Sequence, residues 1–289
     1  MSGRRGIVAV VGTGVMGAGI AQVAAMARHE VIVCTRSARS AGRARQALDA
    51  ALRRAADRGF LKEDPERVLA RVSWHNDLSA AGPAAIVVES APEDLALKQE
   101  IFETLGRVCS PTAVLASNTS QLPITQIAAV TAGSERVVGT HFFSPVPARP
   151  LCEVVRGEKT SASTVERARD FVAGLGKTCI VIERDTPGFV TTRLMAVLVM
   201  EAARLADSGI ASARDIDLAC RLGFGHRMGP LETADLAGVD TMVDVADGLY
   251  THHGEAVFMV PDAVRAMVAA GRRGRKSGAG FHDYGDGTR

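Results

Sequence analysis

Aromatic residues are scarce in this chain, at 4% of the total with a single tryptophan, against 47% hydrophobic residues. No apolar run is long enough to span a bilayer. This composition describes an ordinary globular protein with no surplus for a membrane. A charge excess is also missing, because 34 basic and 32 acidic side chains leave a net +2. That excludes the domain-wide basic surface on which nucleic-acid binding draws. The five cysteines (Cys34, Cys109, Cys152, Cys179, Cys220) are odd in number and far apart, with no C-x-x-C pair. Neither a disulfide scaffold nor a zinc ribbon is expected, and reduced thiols in the cytoplasm fit better. The first apolar run starts at Ile7, so no signal peptide is expected. Internal repeats, low-complexity linkers and a Gly-x-Ser-x-Gly elbow are absent. His252 and His253 are read as lying in a polar loop without the second ligand pair that a metal site needs, so no metal is expected.

What is present begins with Val8-Ala-Val-Val-Gly12-Thr13-Gly14-Val15-Met16-Gly17, an apolar strand running into Gly-x-Gly-x-x-Gly, followed by an Ala-rich helical stretch from Ala18 to Ala27. The pyrophosphate of a dinucleotide needs that order. Gly12 permits the sharp turn, Gly14 lets backbone approach phosphate, and Gly17 lets helix pack on strand. Free N–H groups at the helix start face the anion.

Short β-branched runs alternate with helical stretches through the first half, the pattern of a parallel sheet covered by helices. Further strands are expected at Val31–Cys34, Ile86–Glu89, Val114–Ala116, Val137–His141, Leu151–Val155 and Thr178–Ile182. Residues 40–72 read as two helices broken near Gly59 and Pro65. From Gly188 onward the pattern is helical, with Pro187 suited to a first helical position and Gly209 to a stop. Ser212 with Asp215 forms a capping signature, and Asp215 and Asp217 are read as serving that helix terminus. A boundary near Arg184–Thr186 divides the chain into residues 1–184 and 185–289.

Oxidation of an alcohol carbon by hydride transfer needs a base, a group that orients the base, and a donor for the developing oxyanion. His141 ends a predicted strand, and strand ends in such sheets face the ligand crevice. Glu153 lies in the following strand, close enough in a paired arrangement to orient the imidazole and favour its charged form.

Several segments carry a family resemblance. They are Ala116-Ser-Asn118-Thr-Ser120-Gln-Leu-Pro-Ile124-Thr, Thr140-His141-Phe-Phe-Ser144-Pro-Val-Pro147, Leu151-Cys-Glu153-Val-Val, Asp185-Thr-Pro187-Gly-Phe189, Asp215-Ile-Asp217, Met228-Gly-Pro230-Leu-Glu and Gly274-Arg-Lys276-Ser-Gly278-Ala-Gly280-Phe. In this order they resemble the 3-hydroxyacyl-CoA dehydrogenases along almost the whole chain, the short 3-hydroxybutyryl-CoA type most closely. The resemblance implies an α/β protein: an N-terminal Rossmann-type doubly wound sheet, then an all-helical C-terminal domain through which subunits form a homodimer, with the cofactor between the domains. It assigns His141 as general base or acid, Glu153 as its partner and Ser120 as the hydroxyl on the substrate oxygen. Glu93, Lys98, Asn118 and Ser120 would lie along the nicotinamide end of the cofactor, and Lys276 would reach it from the other domain.

Three positions depart from the family pattern. Where the second strand normally ends in a ribose-binding Asp, Thr35 is followed by Arg36 and Ser37, with Arg39 nearby. A hydroxyl beside a guanidinium suits a 2′-phosphate, so NADP(H) is expected over NAD(H). Thr192 stands in for an Asn near the reacting carbon, and Ser144 for another beside the nicotinamide. These exchanges point to a changed substrate while leaving the acyl thioester class in place. The carrier is CoA or an acyl carrier protein. The basic stretch Arg53, Arg54, Arg58 and Lys62 suits either, and is equally readable as a solvated face. A small polar hydroxyacyl group, such as glyceryl on a carrier protein, is the alternative substrate, and a catalytically silent nucleotide-binding protein the second alternative.

Overall fold

Val8–Val11 (β1) is buried throughout, as a strand covered on both faces must be. Its neighbours on either side are Val31–Cys34 (β2) and Ile86–Glu89 (β4), both parallel to it. The computed structural model describes residues 6–285, and the chain divides between Thr186 and Pro187 into two units. In the first unit, β1 is followed by Val15–Met26 (α1) and β2 by Ala38–Asp57 (α2) and Pro65–Leu69 (α3). Val72–His75 (β3) comes next, and β4 leads into Leu95–Val108 (α4). Val114–Ser117 (β5) precedes Ile124–Ala128 (α5), and Val137–Phe142 (β6) precedes Leu151–Val155 (β7). Ala162–Gly174 (α6) and Thr178–Ile182 (β8) complete the unit.

The strands form one sheet in the order β3-β2-β1-β4-β5-β6-β7-β8. The first six strands are parallel and in the doubly wound order, which places a ligand crevice at their C-terminal ends where the winding reverses beside β1. β7 runs antiparallel to β6, and β8 is parallel to β7. That reversal sets His141 directly opposite Glu153.

Four expectations change in the fold, the first two at β3 and at Pro187. β3 has no counterpart among the predicted strands, because its Val72-Ser-Trp-His sequence is short, lies at the sheet edge and buries only alternate residues. Pro187 does not open a helix. Gly188 (φ +79°) and Phe189 (φ +46°) turn the chain first, and the helix begins at Thr191.

The second unit contains Thr191–Asp207 (α7), Ala213–Gly223 (α8), Pro230–Ala237 (α9), Val239–His253 (α10) and Asp262–Ala269 (α11). Val199, Met200, Ala203, Leu231, Ala234 and Ala246 are core residues there. Gly209 follows α7 at φ +71°, and the Ser212 hydroxyl accepts from the Asp215 amide at 3.1 Å, capping α8. Asp217 does not serve its own helix. It is buried and accepts from the Leu231 and Glu232 amides at 2.8 and 2.9 Å, so it satisfies the start of α9. His282 Nε2 lies 2.7 Å from the same carboxylate. His252 and His253 sit in the last turn of α10 rather than in a loop.

The glycine loop is held by close approach. A Cβ on Gly17 would lie 2.2 Å from the Gly12 carbonyl oxygen, whereas one on Gly14 would meet nothing within 4 Å. Alanine in a helix normally gains about 1 kcal/mol over glycine. Gly17→Ala is nonetheless expected to lose roughly 1–3 kcal/mol to the overlap, while Gly14→Ala stays within about 1 kcal/mol of the parent. Urea unfolding of the two variants checks this, and equal stabilities would contradict it.

Candidate active site

A crevice of about 750 Å³ follows the C-terminal strand ends. Its middle is the loop Gly12, Thr13, Gly14, Val15 and Met16. α1 starts at Val15 with no side-chain cap and no acidic residue in its first turn, so its N-terminal amides are available to an anion. Gly12 has φ +106°, and a Cβ there would strike the Ser90 carbonyl oxygen at 2.5 Å. Gly14, with open space around it, is the place where a phosphate approaches backbone. Volume, glycine cradle and helix start together fit a dinucleotide.

One end of the crevice is lined by Thr35, Arg36 and Ser40, with Asp77 from the turn after β3. Hydrogen bonding to Ser79 holds the Asp77 carboxyl below its ordinary range. Cys34 also lines this end, and burial, with smaller effects of Cys109 and Asp77, raises its thiol to about 11. It is a neutral wall rather than a nucleophile.

The other end is formed by the loop after β4 (Ser90, Ala91, Pro92, Glu93) and by Asn118 and Ser120 after β5. Glu93 Oε1 joins these loops. It accepts from Thr119 Oγ1 at 2.6 Å, from the Ser120 amide at 3.0 Å, and from Ser120 Oγ and the Gln121 amide at 3.3 Å. Asn118 Oδ1 accepts from the Phe142 amide at 2.9 Å, and Asn118 Nδ2 donates to Ser90 Oγ at 3.3 Å. Asn118 therefore ties the β4 and β5 loops to the end of β6, one residue beyond His141.

His141 is 8% exposed and Glu153 fully buried, with Nδ1 and Oε2 2.7 Å apart. The His141 ring also packs on Phe143, with centroids 4.4 Å apart. With Nδ1 engaged by a carboxylate, the imidazole is fixed in orientation and proton exchange falls to Nε2. Such an arrangement can serve general-base chemistry, the carboxylate stabilising the charged ring from behind.

The residues match the family model of the 3-hydroxyacyl-CoA dehydrogenase NAD binding domain over 7–186 and that of the 3-hydroxyacyl-CoA dehydrogenase C-terminal domain over 188–284. This chain belongs to the 3-hydroxyacyl-CoA dehydrogenase family. It is 40% identical over 276 residues to a probable 3-hydroxybutyryl-CoA dehydrogenase of Bacillus subtilis, covering 95% of this chain and 96% of that one. The crystal structure of Mycobacterium tuberculosis FadB2 superposes with a TM-score of 0.92 at 39% identity, over 96% of this chain and 98% of the other. That of the (S)-3-hydroxybutyryl-CoA dehydrogenase PaaH1 from Ralstonia eutropha gives 0.92 at 35%, over 97% and 99%.

Not every residue expected from the 3-hydroxyacyl-CoA dehydrogenase pattern lines the crevice. Lys98 is completely buried, with Nζ 2.8 and 3.0 Å from the Glu89 carboxylate, and is not among the residues that line the crevice. Gly17 packs against Gly12 and supports the loop from behind. Ser144 is exposed, and its carbonyl accepts from Arg149 Nε at 3.3 Å. In the second unit Thr192 occupies the first turn of α7, half-buried, and Lys276 Nζ pairs with Asp240 at 2.6 Å. Arg53 is engaged by Asp49 and Glu66, while Arg54, Arg58 and Lys62 remain exposed. Sequence reasoning passed over Glu89, Ser117 and Asp77. The first two had a signal, since each puts a polar group at the end of an otherwise apolar strand. Among the described residues no group of His, Cys, Asp or Glu is arranged to hold a metal.

His141→Gln is expected to lower dehydrogenase turnover by roughly 10³-fold or more, and Glu153→Gln by roughly 10²-fold. Nucleotide affinity should stay within about twofold, because neither side chain lines the dinucleotide crevice. Steady-state kinetics with calorimetric nucleotide titration check both halves, and an active His141→Gln enzyme would refute the assignment.

Proposed function

We propose that this chain is an NAD(P)-dependent dehydrogenase that interconverts a 3-hydroxyacyl thioester and its 3-oxoacyl form, of the 3-hydroxybutyryl-CoA dehydrogenase kind. The His141–Glu153 pair, 2.7 Å apart and set by strand register, carries the reading. The bound nucleotide supplies the two-electron acceptor or donor. In oxidation His141 Nε2 takes the carbinol proton, and Glu153 stabilises the charge that forms on the ring. In reduction the same nitrogen returns a proton to the oxygen. Ser120 and, on the family's pattern, Thr192 hold that oxygen, with Asn118 and Glu93 along the nicotinamide and Ser144 and Lys276 as further cofactor contacts.

For the coenzyme the reading is NADP(H) over NAD(H). Thr35, Arg36 and Ser40 together offer two hydroxyls and a guanidinium to a 2′-phosphate, set against the charge of Asp77, which lines the same end. A homodimer formed through the second unit belongs to the same reading. Its support is exposed apolar surface there, with Ile210, Leu222 and Phe224 each more than 70% exposed. The unpaired thiols of all five cysteines suit a cytoplasmic location.

One observation favours an acyl carrier protein as the thioester's bearer. Phe60 is 76% exposed in a stretch of sequence that also carries the exposed Arg54, Arg58 and Lys62, an apolar side chain and cations that an acidic partner would fit.

Acetoacetyl-CoA reduction, followed with NADPH and NADH in parallel, tests the reading. Turnover is expected with both, and NADPH should give the higher kcat/KM by roughly tenfold, a preference that Thr35→Asp reverses. Activity only on carrier-bound acyl groups would favour the carrier protein. Nucleotide binding without turnover on either substrate would overturn the dehydrogenase reading.

A further inference from the structure

Beneath the wall of the crevice lies an ion pair that the proposed reaction does not use. Glu89 closes β4 and Lys98 lies in the first turns of α4, and both side chains are 0% exposed. The Glu89 carboxylate accepts from Lys98 Nζ at 2.8 and 3.0 Å, from Ser117 Oγ at 2.6 Å and from the Ala91 amide at 2.5 Å. Lys98 Nζ also lies 3.4 Å from the Ala91 carbonyl and 3.5 Å from Glu93 Oε2. A pair so completely enclosed adds little stability over apolar residues of the same volume, because desolvation cancels most of the attraction. Its consequence lies in what it does to Glu93.

Lys98 stands between two carboxylates. Were Glu89 uncharged, the ammonium would cancel Glu93. With Glu89 ionised, the three groups keep one net negative charge. Of the three, only Glu93 reaches the crevice, its side chain 30% exposed. In a doubly wound sheet the adenosine lies toward the end of β2 and the pyrophosphate on the glycine loop, so the nicotinamide falls beyond β1, at the β4 and β5 loops where Glu93 stands. The oxidised nicotinamide ring is a cation and the reduced ring is neutral, so a nearby net negative charge distinguishes them.

We propose that Glu89 is a positioning residue that, by engaging Lys98 from behind, leaves Glu93 negative at the crevice and so biases the site toward the oxidised form of the nucleotide. The inference rests on the dinucleotide reading above and deepens it. The same enclosure fixes Glu93 in place between the two loops, where it also receives the Ser120 hydroxyl.

The test is the ratio of dissociation constants for oxidised and reduced nucleotide, measured by titration calorimetry on the whole protein without acyl substrate. Glu93→Gln removes the net charge at a half-exposed position and should raise the oxidised-to-reduced ratio about threefold or more. Glu89→Gln, which keeps the shape and the acceptor for Ser117, should raise it in the same direction. The double variant Glu89→Gln/Lys98→Met replaces the pair by neutral groups and restores the single negative charge. It should return the ratio to within about twofold of the parent. Should Glu89→Gln alone fail to fold, Glu93→Gln and the double variant still make opposite predictions. A double variant shifted as far as Glu93→Gln, or variants that weaken both nucleotide forms equally, would overturn the proposal while leaving the dehydrogenase reading intact. A parent protein that binds neither nucleotide would overturn both.

Discussion

The reversal of strand direction between β6 and β7 is the constraint on which the chemistry depends. Six parallel strands deliver loops to one end of the sheet, but loops alone leave a histidine to choose its own orientation. An antiparallel neighbour does not. Registering Glu153 opposite His141 puts a carboxylate against Nδ1 from within the sheet itself, where the backbone ladder rather than a mobile loop sets the distance. Both side chains are buried, which strengthens the interaction and restricts the ring's orientation.

The rest of the site is assembled by contacts between loops. Gly12 approaches the Ser90 carbonyl too closely for any side chain, which fixes the phosphate loop against the β4 loop. Glu93 and Asn118 then join the β4 loop to the β5 loop and to the end of β6. The buried Glu89–Lys98 pair holds the β4 loop from below. Of these links Glu93 touches Ser120 directly, the hydroxyl that the proposed function places on the substrate oxygen.

Much of this was legible in the sequence because the signals were local. An apolar strand leading into Gly12, Gly14 and Gly17 admits few structures, and the Thr35–Arg36 pair stands where the second strand must end. The edge strand Val72–His75 was not legible, since four residues with alternate exposure carry no distinctive period. Pro187 misled because its fixed φ suits both a helix start and the turn that Gly188 and Phe189 make. Asp217 misled in a different way. It begins a helix in sequence but caps another that is adjacent only in space. Lys98 was expected along the cofactor only from the family resemblance, which carries no information about its burial. Its enclosure follows from Glu89, whose burial at the end of Ile-Val-Val-Glu demanded a partner nearby.

The central claim is that Glu153 holds the His141 imidazole with its proton on Nδ1, leaving Nε2 as the base. Nitrogen-15 NMR of the histidine-labelled protein, at a pH where His141 is neutral, reports the tautomer directly, with His141→Gln identifying the resonance. The account predicts that His141 is the Nδ1–H form, and that Glu153→Gln or Glu153→Ala disturbs that preference. A neutral His141 protonated on Nε2 in the parent protein would contradict it.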